Sequence, residues 1–245
     1  VDPETGEITE VELEGVSGGP HLLAVLGSEL WFTAREAQMY GRYEPATGRL
    51  KIYSAPERFR PYGIATANGR IWLSSYDGGR LLEVDVDLER ASAHELSRDE
   101  GGELVLSPAT PDSALSPLER LPWIHMGARR MAAGPDGVLW ISGFGRSRVY
   151  RIDTASREVE EYPSLFTPSY PYGIVVAPDG LVWYNEKGND VVVALDPRAR
   201  RRVTFRIGSS GATVRHLAVD AERGRVWLPL SDAGRLGLIE LGSRD

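Results

Sequence analysis

The sequence contains no cysteine and only two lysines among its 245 residues. Without cysteine, a disulfide framework, a thiolate nucleophile and a thiolate metal site are all excluded. No apolar run approaches the roughly 20 residues that a transmembrane helix needs, so we expect no membrane insertion. The excess of arginine over lysine is typical of a GC-rich genome, and arginine also serves as a bidentate clamp for carboxylates and phosphates.

The charge balance is acidic, with a formal net charge of −7 and a pI of about 5.3. We therefore expect no general attraction to nucleic acid or to anionic membranes. The first residues, VDPETGEITEVELEG, lack the charged, apolar and small regions of a signal peptide. The absence of cysteine suits an oxidising compartment, so a periplasmic or extracellular location is favoured over a cytoplasmic one. The sequence gives no indication of the oligomeric state.

Five tryptophans mark the same point in five copies of one sequence pattern. The clearest copies are PYGIATANGRIWLSSYDGGRLLEVD (61–85) and PYGIVVAPDGLVWYNEKGNDVVVALDP (171–197). Repeats of about 40–45 residues, each with four short strands, are typical of the blades of a β-propeller. The sequence therefore predicts an all-β propeller of four-stranded blades, in which the tryptophans pack one sheet on the next. They are Trp31, Trp72, Trp140, Trp183 and Trp227.

The fourth repeat shows the expected layout of one blade. We place its four strands, in order, over Gly173–Ala177, Leu181–Asn185, Val191–Leu195 and Val203–Ile207. The first two strands are joined by a tight turn that contains glycine, Pro178-Asp179-Gly180. We expect residues 1–245 to form a single propeller domain.

The chain begins in the middle of a repeat, and this has two interpretations. In the first, Ile8–Leu13 pairs with Leu236–Leu241 and completes the last blade, because closure of the ring removes an exposed sheet edge. In the second, the chain is a fragment of a propeller of six or seven blades.

One face of the propeller collects the residues that precede the first strand and follow the second strand of each blade. These residues surround the central axis, and we expect them to line a funnel. Those before the first strand are His21, Tyr62, Arg129, Tyr172, and Arg215 or His216. Those after the second strand include Arg35, Tyr76, Phe144, Glu186 and Ser231. A polar and aromatic funnel suits a small or medium ligand; a polar lining without function is the alternative.

An insertion of about 25 residues separates the second and third repeats, at about 98–127. Its segment Pro111–Leu121 has the pattern of a short helix, and Trp123 and His125 fit no blade position. A loop of this length in a compact domain is usually functional or mobile. We interpret it as a lid or a partner-contact element, with a functionless insertion as the alternative.

The repeated pattern P-[YH]-G-I…D-G-x-[LV]-W-[FY]-x-E…R-I-D-P-x-T-G resembles that of the virginiamycin B lyase (streptogramin lyase) family. It is also similar to the wider group of NHL-type and gluconolactonase-like propellers. The resemblance covers the chain except 98–127 and is more specific for fold than for activity. It implies a Mg²⁺ ion held by two glutamates beside a catalytic histidine, which opens a cyclic depsipeptide by elimination. Such a reaction needs a base and an electrophile that stabilises the enolate.

The chain departs from this family pattern at the metal. His216 matches the catalytic histidine, but Val214 and Leu230 or Ser231 stand at the two glutamate positions, and Tyr172 replaces a substrate-binding histidine. Mg²⁺ sites generally need one or two carboxylates, which this blade does not supply. The resemblance therefore implies the fold without the metal-dependent mechanism, unless missing upstream blades shift the count.

Three functional hypotheses follow. The first is a propeller that binds a small-molecule ligand or a protein partner at the funnel face. The second is a metal-assisted lyase or lactonase acting on a cyclic ester, with Mg²⁺ or Ca²⁺ as cofactor. It would use Glu186 as metal ligand or base, and His21 or His216 as acid–base. The third is a structural propeller that makes contacts through its outer strand edges.

No other catalytic motif is present in the sequence. It has no G-x-S-x-G elbow, H-E-x-x-H motif or P-loop. The remaining histidine in a blade, His94, falls in an outer strand predicted over Ala91–Leu96, and we expect it at the surface.

Overall fold

The computed structural model describes residues 4–76, 79–98, 103–109 and 127–241. Within these ranges the chain forms 20 strands in five antiparallel sheets, joined by turns and short 3-10 helices. None of the helices in this part of the chain has the length and apolar character needed to span a membrane.

Each sheet is one blade, and its strands are neighbours in chain order. Blade one contains β1 (Leu22–Leu26), β2 (Glu29–Ala34), β3 (Met39–Glu44) and β4 (Arg49–Ser54). Blade two contains β5 (Pro61–Ala67), β6 (Arg70–Ser75), β7 (Leu81–Asp85), β8 (Arg90–Arg98) and β9 (Leu104–Pro108). Blade three contains β10 (Ala128–Ala133), β11 (Val138–Gly143), β12 (Arg148–Asp153) and β13 (Val159–Pro163). Blade four contains β14 (Pro171–Val176), β15 (Val182–Glu186), β16 (Val191–Asp196) and β17 (Arg201–Arg206). Blade five contains β18 (Ala218–Asp220), β19 (Arg225–Leu230) and β20 (Arg235–Glu240).

The predicted all-β propeller is confirmed. The four strands predicted for the fourth repeat match β14, β15, β16 and β17 to within two residues at each end. The match is close because turn residues and alternating apolar residues mark each short strand locally.

The repeated tryptophans pack each blade against the following one. Trp72 lies opposite Ala65 in the neighbouring strand, and its side chain is buried with Leu139 and Ile152 of blade three. Trp31, Trp140 and Trp183 are buried in the same way, whereas Trp227 of blade five is only partly buried. A small residue opposite each large ring leaves room for close contact between sheets.

Hydroxyl groups also join the first four blades near the axis. Each is on a buried residue two positions after a tryptophan, and each donates to a backbone carbonyl of the next blade. The bonds run from Thr33 to Tyr62 (3.1 Å), from Ser74 to Arg129 (2.8 Å) and from Ser142 to Tyr172 (2.7 Å). They fix the start of one blade relative to the end of the second strand of the blade before it.

The predicted closure of the ring is wrong. Residues 6–13 form no strand, and in the described part of the chain blade five has three strands. Ile8 is 68% exposed and Leu236 is 74% exposed, so the predicted pairing partners bury neither side chain. Alternation of apolar and polar residues identifies a possible strand but does not specify which edge it joins.

Part of the insertion extends blade two. β9 pairs with β8 as a fifth strand, and Leu106 N–H donates to the carbonyl oxygen of Arg157 in blade three at 3.0 Å. The predicted outer strand Ala91–Leu96 lies within β8. The predicted helix at Pro111–Leu121, and Trp123 and His125, lie outside the described residues.

The predicted surface position of His94 is also wrong. The side chain is 8% exposed, and its Nε2 lies 2.9 Å from a carboxylate oxygen of Glu83 that also accepts a hydrogen bond from Arg157. The imidazole ring lies 5.6 Å from the ring of Trp72. His94 is buried because it packs on Trp72 and Glu83 of its own blade where Arg157 of blade three meets them. Burial and the nearby Arg157 charge lower the pKa of His94.

Candidate functional site

A cavity of about 440 Å³ receives side chains from all five blades. It is lined by His21, Arg35, Tyr62, Tyr76, Arg129, Phe144, Tyr172, Lys187, Thr213 and Arg215. The structure therefore brings together most of the residues expected in the funnel, whereas His216, Glu186 and Ser231 are not among the lining residues. None of these lining residues carries a carboxylate.

In blades two, three and four the first strand begins with a β-bulge, and one residue of each bulge lines the cavity. In β5, β10 and β14 the register with the second strand shifts between the first and fourth residues. The shifted segments contain Tyr62, Arg129 and Tyr172. Such bulges change the direction in which a side chain points, which explains how the start of a regular strand contributes to the cavity.

Glycine follows the tyrosine in two of these bulges. A Cβ atom at Gly63 would lie 2.4 Å from the carbonyl oxygen of Arg129, and a Cβ atom at Gly173 would lie 2.7 Å from a methyl carbon of Leu217. Two blades therefore need glycine at this position, because the following blade approaches the backbone closely.

Blade three has Arg130 at the corresponding position. Its backbone N–H donates to Ser142 Oγ at 3.0 Å, as the N–H groups of Gly63 and Gly173 donate to side chains of their own second strands. The sequence analysis missed Arg130 because it took a single residue per blade before the first strand. The available signal was the replacement of Tyr-Gly by Arg129-Arg130 in the repeated pattern.

The guanidinium of Arg130 lies behind two of the lining tyrosines and is not itself part of the cavity lining. Its Cζ is 5.1 Å from the ring centre of Tyr62 and 5.7 Å from that of Tyr172. The side chain is 7% exposed, its Nε and Nη1 make no hydrogen bond of normal geometry to a described residue, and its nearest polar neighbour besides His216 is the Tyr172 hydroxyl. The third nitrogen, Nη2, lies 3.2 Å from Nε2 of His216. Because arginine only donates, Nε2 of His216 is the acceptor and its ring proton is on Nδ1.

A second group of arginines surrounds Tyr76. The guanidinium carbons of Arg129, Arg35 and Arg60 lie 4.2, 4.7 and 5.0 Å from its ring centre. Arg129 also donates to the carbonyl oxygen of Tyr76 at 2.5 Å and lies 5.1 Å from the ring of Phe144. Cation–π contacts of this kind help to hold the arginines in place around the ring.

The two tyrosines at the bottom of the cavity share a hydrogen bond between their hydroxyl groups. Burial, followed by the hydrogen bond to Tyr172, raises the pKa of Tyr62 to about 12. The Tyr62 hydroxyl therefore stays protonated at physiological pH. Because one hydroxyl of this pair donates to the other, the two tyrosines together present one O–H that can donate to a ligand.

The two histidines proposed as acid–base groups lie near Arg130. His21 Nδ1 is 3.2 Å from the carbonyl oxygen of Tyr62. The pKa of His21 is lowered by burial and by the charges of Arg130 and Arg35. The pKa of His216 is lowered by the loss of water around the ring, and then by Arg130, His21 and Arg215. Both rings are therefore neutral at pH 7.

The expected position of Glu186 in the funnel is wrong. Its side chain is 1% exposed and is not part of the cavity lining. Glu186 is two residues after Tyr184, which packs against blade three, and strand alternation sends both side chains to the same face. Oε2 accepts a hydrogen bond from Asn189 at 3.3 Å, and the Ser164 hydroxyl and the Leu165 backbone N–H lie near the carboxylate, although Oε1 accepts no hydrogen bond of normal geometry from a described residue. Burial raises the pKa of Glu186.

The residues present do not fit the magnesium ion implied by the resemblance. Val214 and Leu230, at the two glutamate positions of the family pattern, pair in an isolated antiparallel bridge and are 1% and 7% exposed. Ser231, which follows, is exposed. No group of three or more His, Asp or Glu side chains in the described ranges could hold a metal ion.

Comparison with known proteins identifies relatives of this fold. No protein-family model matches the chain. A virginiamycin B lyase from Nocardia farcinica is 26% identical over 192 residues, which cover 72% of this chain and 66% of that protein. A structure of catalytically inactive virginiamycin B lyase from Staphylococcus aureus with quinupristin superposes with a TM-score of 0.75 at 22% identity. That superposition covers 96% of this chain and 71% of the lyase.

A streptogramin B lyase structure has the same architecture, with a TM-score of 0.58, 15% identity and coverage of 96% of this chain and 87% of the lyase. The chain spans 66% of the length of the curated relative from Nocardia farcinica. The resemblance read from the repeated pattern is confirmed in sequence and in fold: the chain is a β-propeller similar to the virginiamycin B lyases.

Proposed function

We propose that this propeller binds a small-molecule ligand in its central cavity and performs no metal-dependent chemistry there. The observation that carries the proposal is the convergence of lining residues from five blades, with no carboxylate among those that the structure describes. Ligand sites are typically concave, with aromatic walls and a few convergent polar groups.

The cavity is also held in shape before any ligand arrives. Two of its residues, Tyr62 and Tyr172, have carbonyl groups that accept hydrogen bonds from Thr33 and Ser142 of the preceding blades. Arg129 is fixed by its bond to the carbonyl oxygen of Tyr76. A preorganised site loses less conformational entropy on binding, which supports affinity for a small ligand.

No observation favours the alternative of a metal-assisted lyase or lactonase. Elimination beside a carbonyl needs a base and an electrophile for the enolate. Nε2 of His216, which matches the catalytic histidine, accepts a hydrogen bond from Arg130, and Glu186 is buried away from the cavity. The apolar pair of Val214 and Leu230 gives Mg²⁺ or Ca²⁺ no oxygen ligands.

A thermal-shift screen in buffer with EDTA tests the proposal. The panel should contain anionic, neutral and cationic metabolites in equal number. A ligand at 100 times its Kd stabilises the folded state by about 2.7 kcal/mol, which is a measurable rise in Tm. We expect at least one compound to raise the Tm of the wild type.

Two variants locate the binding. Tyr76→Ala removes the ring around which three arginines are arranged, so the rise in Tm should disappear. Tyr43→Ala, a tyrosine outside the cavity, is the matched control and should keep it. The proposal is overturned if no compound binds, or if Tyr76→Ala binds as the wild type does.

A further inference from the structure

We propose that the cavity binds an oxyanion, a carboxylate or a phosphate carried by the ligand, through Arg130, Arg129 and Arg215. This inference rests on the proposed function and names the chemical class of its ligand. The shared chemistry is a planar or tetrahedral group of negatively charged oxygens that accepts hydrogen bonds from guanidinium groups.

The first argument is the sign of the charge. The whole chain has a net charge of −7, yet the described residues of the cavity lining include three arginines and a lysine and no carboxylate. Of these arginines, Arg35 pairs with Glu36, which lies next to it in the chain. Arg129 and Arg215 have no ion-pair partner among the described residues. A cleft lined by one sign of charge concentrates ligands of the opposite sign.

The second argument is the burial of Arg130. A guanidinium that is 7% exposed normally has an anionic partner, because an unpaired buried charge is costly. In the described structure the groups around the Arg130 guanidinium are uncharged: His216 lies at Nη2 and the Tyr172 hydroxyl is nearby, while Nε and Nη1 make no hydrogen bond of normal geometry. An oxyanion from the ligand would supply the missing acceptors.

The third argument is the position of Arg130 in the repeat. Blades two and four have Gly63 and Gly173 at this point, and the backbone arrangement is shared. The arginine is therefore unnecessary for forming a blade. Its side chain is an addition to the framework, placed where it meets the rings of Tyr62 and Tyr172.

The surrounding groups are suited to such a ligand. The hydroxyl pair of Tyr62 and Tyr172 provides one neutral O–H donor beside Arg130, while Arg215 is exposed. The half-buried rings of Tyr76 and Phe144 form an aromatic wall on the same cavity. We therefore expect the anionic group to bind at the bottom and the remainder of the ligand to contact this wall.

The test measures Tm and binding enthalpy with four probes: inorganic phosphate, phenyl phosphate, benzoate and neutral benzamide. The variant is Arg130→Gly, which restores the glycine of blades two and four and should fold for that reason. Arg201→Ala removes an exposed arginine outside the cavity and is the control. All samples are kept at one ionic strength with NaCl, because screening alone changes anion affinity.

We expect the anionic probes to stabilise the wild type and Arg201→Ala, with at least tenfold weaker binding to Arg130→Gly. Benzamide should bind none of them measurably. The relative affinities of phenyl phosphate and benzoate distinguish a phosphate from a carboxylate ligand. The inference is overturned if all anionic probes shift Arg130→Gly as much as the wild type, or shift neither.

The two proposals fail in different ways. If neutral or cationic compounds of the screening panel bind and depend on Tyr76 but not on Arg130, the cavity is a ligand site and the oxyanion inference is wrong. If no compound of any charge binds, the proposed function itself is wrong.

Discussion

Val214 and Leu230 lie opposite each other in a single antiparallel bridge, although they are 16 positions apart in the chain. In the family that this sequence resembles, metal-binding glutamates stand at the position of Val214 and at that of Leu230 or Ser231. Here the side chains of Val214 and Leu230 are buried in the apolar cluster between blades four and five, whereas Ser231 is exposed. The positions that the resemblance assigns to metal-binding glutamates therefore carry no carboxylate.

The lack of carboxylates at these positions predicts that divalent metals do not change the stability of the protein. Adding EDTA, and then Mg²⁺ or Ca²⁺ in excess, should leave the Tm of the purified chain unchanged, because a metal that bound only the folded state would raise it. Differential scanning fluorimetry with elemental analysis of the same sample provides the measurement. A stoichiometric metal that EDTA removes with a loss of stability would contradict the prediction.

Glu186→Gln should stabilise the protein at neutral pH. Burial raises the pKa of this carboxyl above its ordinary value of 4.5, so the folded chain holds the proton more tightly than the unfolded chain does. Its contribution to stability is lost as pH rises from 4.5 through the raised pKa. Because the variant stays uncharged, we expect its free energy of unfolding at pH 7 to be about 1–3 kcal/mol higher.

Urea unfolding of Glu186→Gln at several pH values gives the comparison. The two proteins should converge in acid, where the wild-type carboxyl is protonated, and exposed Glu57→Gln should show no such pH dependence. Ligand binding should be the same in Glu186→Gln and the wild type, since the side chain is outside the cavity. Loss of binding in Glu186→Gln would show that Glu186 contributes to the ligand site.

Gly63→Ala should destabilise the chain by about 1–3 kcal/mol, the usual cost of overpacking. The added methyl group would meet the carbonyl oxygen of Arg129 at 2.4 Å, and backbone cannot move as a side chain end can. Gly208→Ala is the matched control, because a Cβ atom there meets nothing within 4 Å. Equal urea midpoints for the two variants would show that blades two and three are less closely packed than described.

Trp72→Ala and Trp227→Ala should lower the free energy of unfolding by different amounts, although the two tryptophans occupy the same position in their blades. Trp72 is completely buried against blade three, and its removal should cost about 3–5 kcal/mol. Trp227 is partly buried, and its removal should cost less than half as much. Equilibrium unfolding in urea measures both. Equal losses would indicate that another surface covers Trp227 in solution.

The blade framework could be read from the sequence because its signals are local. Tight turns such as Pro178-Asp179-Gly180, alternation along β15 and β16, and the recurring tryptophan are each contained in a single repeat. The cavity lining was predictable for the same reason, because topology places the start of the first strand and the end of the second at the axis.

The remaining features depend on contacts between distant segments. His94 is buried where Arg157 of blade three meets Trp72 and Glu83, and nothing near His94 in the sequence marks Arg157 as its neighbour. The predicted position of Glu186 was wrong because a shift of one residue decides whether a side chain faces the axis or the adjacent blade. The sequence shows Arg130 in place of a glycine, but the equivalence of the bulges in β5, β10 and β14 is a property of the sheet pairing.

The hairpin of β8 and β9 has a consequence for the order in which the propeller opens. It connects blades two and three by a backbone hydrogen bond, in addition to side-chain packing. In a repeat array, local unfolding begins where the fewest neighbours hold a unit. Blade five, with three described strands and a partly buried tryptophan, should therefore exchange its amide hydrogens before blades two and three do. Tyr62, Tyr76, Arg129 and Arg130 lie on those slower blades, so most of the cavity keeps its shape during the fraying of the last blade.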